Sequence, residues 1–178
     1  MLTAGLRIER LASAELAPST AKAIRDLCDA AYEIDTGPYF DAVGPGDHLL
    51  CWEGERLVSH LMWVTRWLQP DSAALLRTAY VEMVATAPDL QRRGHATSLL
   101  EHFPSQVEDF DLAALSPATE TLYSRLGWRY WQGPLAVRTD RGLLPTPDEQ
   151  VMVLPTPRTP LLDLNLPLSV EWRPGEVW

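Results

Sequence analysis

Residues 80–100 read YVEMVATAPDLQRRGHATSLL, and this stretch decides the fold. Its first part, residues 80–85, is an apolar run around Glu82 and predicts a strand. Residues 91–96, QRRGHA, form a short basic segment with a glycine, and residues 97–101 then predict a helix. A strand, a basic loop and a helix start together predict an anion site. The unpaired N–H groups of the first helical turn and the helix dipole both favour negative charge there.

The side chains of this loop suit a phosphate. Gly94 lets the backbone approach without a Cβ in the way. Arg92 and Arg93 add charges that pair with phosphate oxygens. The alternative is an ordinary surface turn that carries arginine and glycine, since a single glycine-containing loop is a weak signal.

Composition and charge limit the class of protein to which the sequence can belong. The 178 residues suffice for a single domain over residues 1–178 with a substantial core, and 46% of them are apolar. The net charge of −9 argues against nucleic-acid binding and favours a cationic partner. Cys28 and Cys51 show neither metal nor disulfide spacing, which indicates a reduced, cytoplasmic setting. We expect no signal peptide, because residues 1–7 lack a long apolar segment. We expect no membrane contact, because the most apolar run, residues 57–68, is too short to span and contains His60 and Arg66.

The remaining periodicities predict one α/β domain around a mixed sheet. The predicted strands cover residues 6–11, 48–52, 57–68, 75–86, 111–116, 128–132, 151–154 and 166–171. The predicted helices cover residues 18–32, 97–103 and 117–126, with Gly127 as a C-cap. Residues 33–47 and 145–149 are predicted to be acidic loops, and residues 133–144 to be irregular with some strand character. The acids of the first loop either line a binding site or are merely solvated.

Three motifs resemble one superfamily. Gln91-x-x-Gly94-x-Ala96, after a strand with a carboxylate, resembles the acetyl-CoA signature of the GNAT superfamily of N-acetyltransferases. Residues 122–128, LYSRLGW, are similar to the tyrosine-containing helix and Gly-Trp of many members. The ending, residues 171–178, EWRPGEVW, resembles the tail of the aminoglycoside 2′-N-acetyltransferases. Residues 80–82, 131–134 and 146–148 match the same pattern, so the resemblance covers nearly the whole chain.

The resemblance implies a fold, a reaction and an assembly. The fold is the GNAT fold, of the α/β (α+β) class: a mixed, mostly antiparallel central sheet flanked by helices, with a splayed pair of parallel strands that holds the cofactor arm. The reaction moves an acetyl group from acetyl-CoA, without a metal, to a primary amine of a cationic small molecule. The implied acceptor is the 2′-amine of an aminoglycoside, which would make the chain an antibiotic-resistance enzyme. The implied assembly is a homodimer.

The resemblance also implies roles for individual residues. Glu82 is implied as the general base, acting through water, and Tyr123 as the general acid. The implied cofactor-binding residues are Val84, Ala85, Gln91, Arg92, Arg93, Gly94, His95, Ala96 and Thr97. The candidate substrate-binding residues are Asp35, Ser116, Asp148, Glu149, Glu176 and Trp178.

Each role has a structural alternative. Glu82 could lie on a solvated face with Tyr80 inside, because the alternation of the strand allows two registers. Tyr123 could be a core residue, Ser116 a helix cap, and the acids solvated charges. His60 is interpreted as a satisfied strand residue. A chain that ends on tryptophan favours docking of the tail into the body, since an unattached terminus would fray.

The chain departs from the family in the first acidic loop. Asp35 aligns with a family aspartate, whereas the second family aspartate falls at Phe40, and Asp41 is one residue on. The loop is therefore expected to be reshaped, which keeps a polyamine, another amino sugar or a peptide amine open as the acceptor. A non-catalytic acyl-CoA-binding or drug-sequestering module is a further alternative.

Overall fold

A computed structural model describes residues 5–118 and 120–178 of the chain. It contains two compact units. Unit 1 comprises the described part of Met1–Val64 together with Val81–Pro104, and unit 2 comprises Thr65–Tyr80 and Ser105–Trp178. The expectation of a single domain over residues 1–178 stays a prediction.

Unit 1 combines an antiparallel meander with three helices. Its elements are β1 (Leu6–Ala12), α1 (Pro18–Tyr32), α2 (Gly37–Val43), β2 (Asp47–Glu53), the first part of β3 (Arg56–Pro70), the second part of β4 (Leu76–Thr86) and α3 (His95–His102). β2 pairs antiparallel with both neighbours: Ile8 of β1 lies opposite Cys51, and His60 of β3 lies opposite Leu50. The predicted strands and first helix are therefore confirmed.

Local chemistry explains the boundaries of these elements. Proline at the first turn of α1 costs no hydrogen bond, and Ile24, Leu27 and Cys28 are its buried residues. The helix ends where Glu33 adopts the left-handed conformation, with φ of 58°. Gly54, with φ of 60°, forms the turn of the β2–β3 hairpin.

Unit 2 is mostly sheet. Its further elements are β5 (Leu112–Leu115), α4 (Glu120–Ser124), β6 (Arg129–Tyr130), β7 (Leu135–Thr139), β8 (Gly142–Pro145), β9 (Met152–Leu154) and β10 (Leu168–Glu171). The strand order reads β6-β9-β5-β4-β3-β10-β7-β8. β10 pairs in parallel with β7, and the pairs β5–β9, β6–β9, β7–β8 and β10–β3 are antiparallel. The sheet is therefore mixed and mostly antiparallel, as predicted.

Two segments differ from the prediction. Residues 33–47 were expected to be a loop, but they contain α2, because Pro38 falls in the first turn, where a helix tolerates it. Residues 133–144 were expected to be irregular with some strand character, and the strand character is confirmed by β7 and the start of β8, which pair from Ala136–Pro145 to Thr139–Gly142. α4 begins at Glu120 rather than at Pro117.

A buried chain of polar side chains runs through unit 1. Ser13 Oγ lies 2.9 Å from His48 Nε2, His48 Nδ1 lies 2.9 Å from His60 Nε2, and His60 Nδ1 lies 3.6 Å from the Cys28 thiol. Every donor finds an acceptor if the protons point from Cys28 towards Ser13, whose hydroxyl then donates to the Gly46 carbonyl at 3.0 Å. The interpretation of His60 as a satisfied strand residue is confirmed.

Burial keeps the side chains of this hydrogen-bonded network neutral. Desolvation lowers the pKa of His48 to about 4, against a smaller opposite effect of Asp47. Burial and the neighbouring His48 lower the pKa of His60 well below its ordinary value. Burial likewise raises the pKa of the Cys28 thiol to about 12. Hydrogen bonds between the neutral side chains of this network therefore connect α1, β2 and β3.

Candidate functional site

The basic loop in unit 1 has the backbone of an anion site. A 3-10 helix, Pro88–Leu90, follows β4, and α3 starts at His95 directly after the loop. Arg92 and Gly94 both adopt left-handed conformations, with φ of 62° and 87°. Left-handed residues in such a turn direct neighbouring N–H groups into one concave surface that binds anions. An arginine with positive φ is uncommon, and such backbone strain clusters at functional sites.

The surroundings of the loop strengthen this interpretation. Residues 91–94 are exposed, so both arginines are accessible. Asp89, just before the loop, forms a two-pronged ion pair with Arg56, at 2.9 and 2.7 Å, and the hydrogen bond from Arg56 lowers the pKa of that carboxyl group. His95 is only 7% exposed, and its buried Nδ1 has no hydrogen-bond partner among the described residues. An anion or a water molecule in the loop would satisfy such an atom.

Glycine at position 94 is required by conformation rather than by space. A Cβ added there would meet no atom within 4 Å, yet the φ of 87° disfavours any side chain. Together with the buried nitrogen of His95, this cradle fits the phosphates of CoA, and the residues that would hold them are those predicted at 91–97.

Glu82 lies on the half-buried side of β4. Along residues 81–86, Val81, Met83 and Ala85 are buried, whereas Glu82 and Val84 are partly exposed and therefore share a face. The Glu82 carboxylate does not point freely into water: the Tyr39 hydroxyl donates to its Oε2 at 2.8 Å. The same hydroxyl lies 3.3 Å from the Glu82 carbonyl oxygen.

The backbone of Val84 meets a second tyrosine. The Tyr32 hydroxyl, at the last residue of α1, donates to the Val84 carbonyl at 3.0 Å and lies 3.3 Å from the Val84 nitrogen. The family resemblance implies that Val84 contacts the cofactor. Here both backbone groups of Val84 contact the Tyr32 hydroxyl.

Asp35 caps α2 in unit 1. Its Oδ1 accepts a hydrogen bond from the Gly37 N–H at 2.8 Å, and the residue is exposed. Asp29 accepts two further bonds, from the N–H and the hydroxyl of Thr36, at 2.8 and 2.6 Å. These bonds lower the pKa of the Asp29 carboxyl group. Asp35 therefore has a structural role alongside its predicted role in acceptor binding.

Unit 2 holds the predicted general acid. Tyr123 in α4 is 8% exposed and packs edge-on against Trp128, with ring centroids 6.1 Å apart. Ser116 is exposed directly after β5. Both the catalytic role of Tyr123 and the alternative of a core tyrosine fit this burial.

The C-terminal tail docks onto unit 2, which confirms the expectation for a terminal tryptophan. Trp178 is 5% exposed, and its indole N–H donates to Thr146 Oγ1 at 2.8 Å. Arg66 donates to the Val177 carbonyl at 2.9 Å and to the Glu171 carboxylate at 2.8 Å. The tail thereby reaches the late acidic loop, two residues before Asp148.

The predicted acids of unit 2 differ in their surroundings. Glu149 lines a cavity of about 510 Å³ together with Tyr130, Trp131 and Thr146, and Asp148 does not line it. Asp148, Glu149 and Glu176 are all exposed. An acid beside aromatic rings is a suitable environment for a cation.

Sequence reasoning missed Tyr32, Tyr39 and Thr146. Tyr39 lies in a segment that was expected to be a loop, and its contact with Glu82 joins residues far apart in the chain. Its one signal was an aromatic pair, Tyr39-Phe40, inside an otherwise polar stretch. In the described part of the chain, no cluster of histidine, cysteine and acidic residues could hold a metal ion, and no helix is long and apolar enough to cross a membrane.

Comparisons with known proteins agree on one family. Residues 14–131 match the acetyltransferase (GNAT) domain family. The chain is 32% identical, over 176 residues, to an aminoglycoside 2′-N-acetyltransferase of Mycolicibacterium fortuitum, covering 93% of this chain and 89% of the relative.

Solved structures show the same fold at low identity. A GNAT family N-acetyltransferase from Escherichia coli in complex with CoA superposes with a TM-score of 0.62 at 15% identity, covering 97% of this chain and 93% of that one. A GNAT family acetyltransferase from Brucella melitensis in complex with acetyl-CoA gives a TM-score of 0.57 at 16% identity, covering 89% of this chain and 93% of that one.

Proposed function

Because the chain belongs to the GNAT family of N-acetyltransferases, we propose that it transfers an acetyl group from acetyl-CoA to a primary amine of a cationic small molecule, the 2′-amine of an aminoglycoside. One observation carries the proposal: in unit 1, the strand with the half-buried Glu82 leads directly into a loop with the backbone of a phosphate site. A homodimer, a cytoplasmic location and a role in antibiotic resistance stay predictions from composition and resemblance.

Acetyl-CoA supplies the activated acetyl group, and the side chains of the protein handle protons. An amino-sugar amine has a pKa of about 7.7–8.0, like an α-amino group, so it is mostly protonated at neutral pH and must lose a proton before it attacks. Glu82 accepts that proton, directly or through water, and general-base catalysis of this kind contributes about 10²–10⁴-fold.

The second proton transfer is assigned to Tyr123. As the nitrogen–carbon bond forms and the carbon–sulfur bond breaks, the sulfur leaves with the electron pair of that bond. A phenol with a pKa of about 10 can protonate a departing thiolate with a pKa of about 8.5, since the transfer is uphill by only about 1.5 pKa units. The nitrogen loses a second proton as the amide forms, and this proton restores the phenol through water. Glu82 passes the first proton to solvent, so each turnover of a protonated amine releases one proton overall.

The negatively charged residues support a cationic acceptor. The chain carries a net charge of −9, and Asp35, Asp148, Glu149 and Glu176 are exposed in both units. Exposed acids of one sign attract a polycation and raise its rate of encounter. Ser116 and Trp178 complete the proposed acceptor-binding residues.

A mass-shift assay with acetyl-CoA tests the proposal. We expect acetylation of a 2′-amino aminoglycoside and none of its 2′-hydroxy counterpart. Glu82→Gln should lower turnover by at least 100-fold while acetyl-CoA affinity changes little, consistent with loss of a general base. Glu55→Gln, in the exposed β2–β3 turn, is the matched control and should behave like the parent.

Other outcomes would contradict parts of the proposal. Equal acetylation of the 2′-hydroxy compound would exclude the 2′-amine as the site. Acetylation of polyamines or peptide amines alone would favour the second candidate function, a GNAT enzyme for another small amine. α2 favours that candidate, since it places Phe40 where the family resemblance expects a second aspartate. Binding of acetyl-CoA without thiol release in any assay would indicate a non-catalytic module.

A further inference from the structure

Tyr39 approaches Glu82 through the short helix α2. Its single phenolic proton faces two acceptors, the Glu82 carboxylate at 2.8 Å and the Glu82 carbonyl at 3.3 Å. The shorter distance identifies the carboxylate as the main partner. A hydrogen bond to an ionised carboxylate is about twice as strong as one between neutral groups.

α2 is anchored from α1, which makes the position of Tyr39 well defined. Asp29 in α1 accepts two hydrogen bonds from Thr36, the residue before α2. The guanidinium of Arg25 lies over the Phe40 ring at 5.1 Å, which adds a cation–π contact. A Cβ on Gly37 would stand 2.3 Å from Arg25 Nη1, so a larger residue at the start of α2 would have to displace the Arg25 guanidinium.

A fixed phenol restricts the orientation of the base. A glutamate side chain has three rotatable bonds, and holding it in one rotamer costs about 1.5–2 kcal/mol of conformational entropy. The anchored Tyr39 holds the Glu82 side chain in one rotamer before any substrate binds, so this entropy cost does not add to the barrier of the reaction. Neighbouring residues pre-organise a reacting group in this way.

We propose that Tyr39 is the positioning residue of the acetyl-transfer site: its hydroxyl, held by the anchored helix α2, orients the Glu82 carboxylate for proton removal from the acceptor amine. The inference rests on the proposed function and assigns a new role to one residue within it. Tyr39 acts through Glu82 and transfers no proton itself. Its contribution must therefore vanish when Glu82 can no longer act as a base.

A double-mutant cycle tests this directly. Initial rates of acetylation are measured, with product quantified by mass spectrometry, for the parent, Tyr39→Phe, Glu82→Gln and the double variant. We expect Tyr39→Phe to lower kcat about 10-fold with an unchanged KM for acetyl-CoA, and to have no further effect once Glu82 is replaced.

Tyr32→Phe is the matched comparison. It removes a hydroxyl from the neighbouring helix that contacts the backbone of Val84 and not the Glu82 carboxylate. Its effect on turnover should be the same in the parent and in the Glu82→Gln background. Far-ultraviolet circular dichroism and thermal unfolding establish that each variant is folded.

The outcomes separate the two proposals. If the parent acetylates no amine, the proposed function fails. If the parent is active and Glu82→Gln impairs it, but Tyr39→Phe has the kcat of the parent, the positioning role is wrong. The positioning role is equally wrong if Tyr39→Phe lowers kcat as much in the Glu82→Gln background as in the parent, because Tyr39 would then act independently of the base.

Discussion

Acidification from pH 7 to pH 5 should destabilise the protein through the buried pair His48 and His60. Both imidazoles are neutral in the fold: burial lowers the pKa of His48 to about 4 and that of His60 well below its ordinary value. In the unfolded chain each has a pKa of about 6.5. At pH 5 the unfolded state therefore binds protons at His48 and His60 that the folded state does not bind. The corresponding stability is complete above pH 6.5 and is lost as the pH falls towards 4.

The magnitude follows from His48 alone. With a folded pKa of about 4 and an unfolded pKa of about 6.5, the free energy of unfolding drops by about 2 kcal/mol between pH 7 and pH 5. His60 contributes in the same direction. The first proton would also break a hydrogen-bonded chain, because a doubly protonated His48 cannot accept the bond from His60.

Urea unfolding at pH 7 and pH 5 measures the effect. His48→Gln keeps a hydrogen-bonding side chain but cannot titrate, so its loss of stability over this range should be smaller than that of the parent by about 2 kcal/mol. His102→Gln, at an exposed position of α3, is the control for replacing a histidine by glutamine. An acid-induced loss in His48→Gln equal to that of the parent would refute the reasoning.

Three further predictions concern the loop, the cofactor arm and the tail. Gly94→Ala should weaken acetyl-CoA binding by up to about 5–30-fold by calorimetry, since the left-handed conformation costs alanine about 1–2 kcal/mol. Gly54→Ala, also left-handed in the β2–β3 turn, should leave affinity unchanged. Tyr32→Phe should tighten acetyl-CoA binding about 3–10-fold, because it frees the Val84 backbone groups; weaker binding would show that Tyr32 supports the arm. Trp178→Ala should lower the free energy of unfolding by about 3 kcal/mol. Trp172 is 58% exposed, and Trp172→Ala should lower it by at most about 0.5 kcal/mol. Equal losses in the two variants would contradict docking of the tail.

Local sequence signals predicted the secondary structure of residues 80–101 well. The strand, basic loop and helix of residues 80–101 appear as β4, the left-handed turn at Arg92 and Gly94, and α3. Such features depend on neighbours in the chain: apolar alternation, a glycine that accepts positive φ and a helix start. α1 was predicted equally well, from Pro18 and from its apolar face.

The helix that contains Tyr39, α2, could not be predicted from local sequence signals. Gly37-Pro38 usually interrupts structure, and only the bonds from Thr36 to Asp29 and the approach of Arg25 show why a helix begins there. The contact between Tyr39 and Glu82 joins two elements that share no sequence periodicity. Contacts of this kind are set by tertiary packing, which overrides local propensity.

This difference between local and tertiary signals bears on the choice of acceptor. A phosphate loop needs one backbone conformation and a few positive charges, so distant relatives can keep it while their acceptors change. In this chain, α2 presents a phenol to Glu82 and turns Phe40 towards Arg25 and His60, with ring centroids 6.3 Å apart for the aromatic pair. Phe40 stands where the family resemblance expects a carboxylate, and Asp41 follows one residue later in α2, so the charge partners of a polycation can be Asp35, Asp41 or the acids of unit 2. Affinity for aminoglycosides should therefore depend on Asp148 and Glu149 more than on Asp35, whose Oδ1 already caps α2. If Asp35→Asn weakened the binding of an acetylated aminoglycoside more than Glu149→Gln, this assignment of the acceptor charges would be wrong.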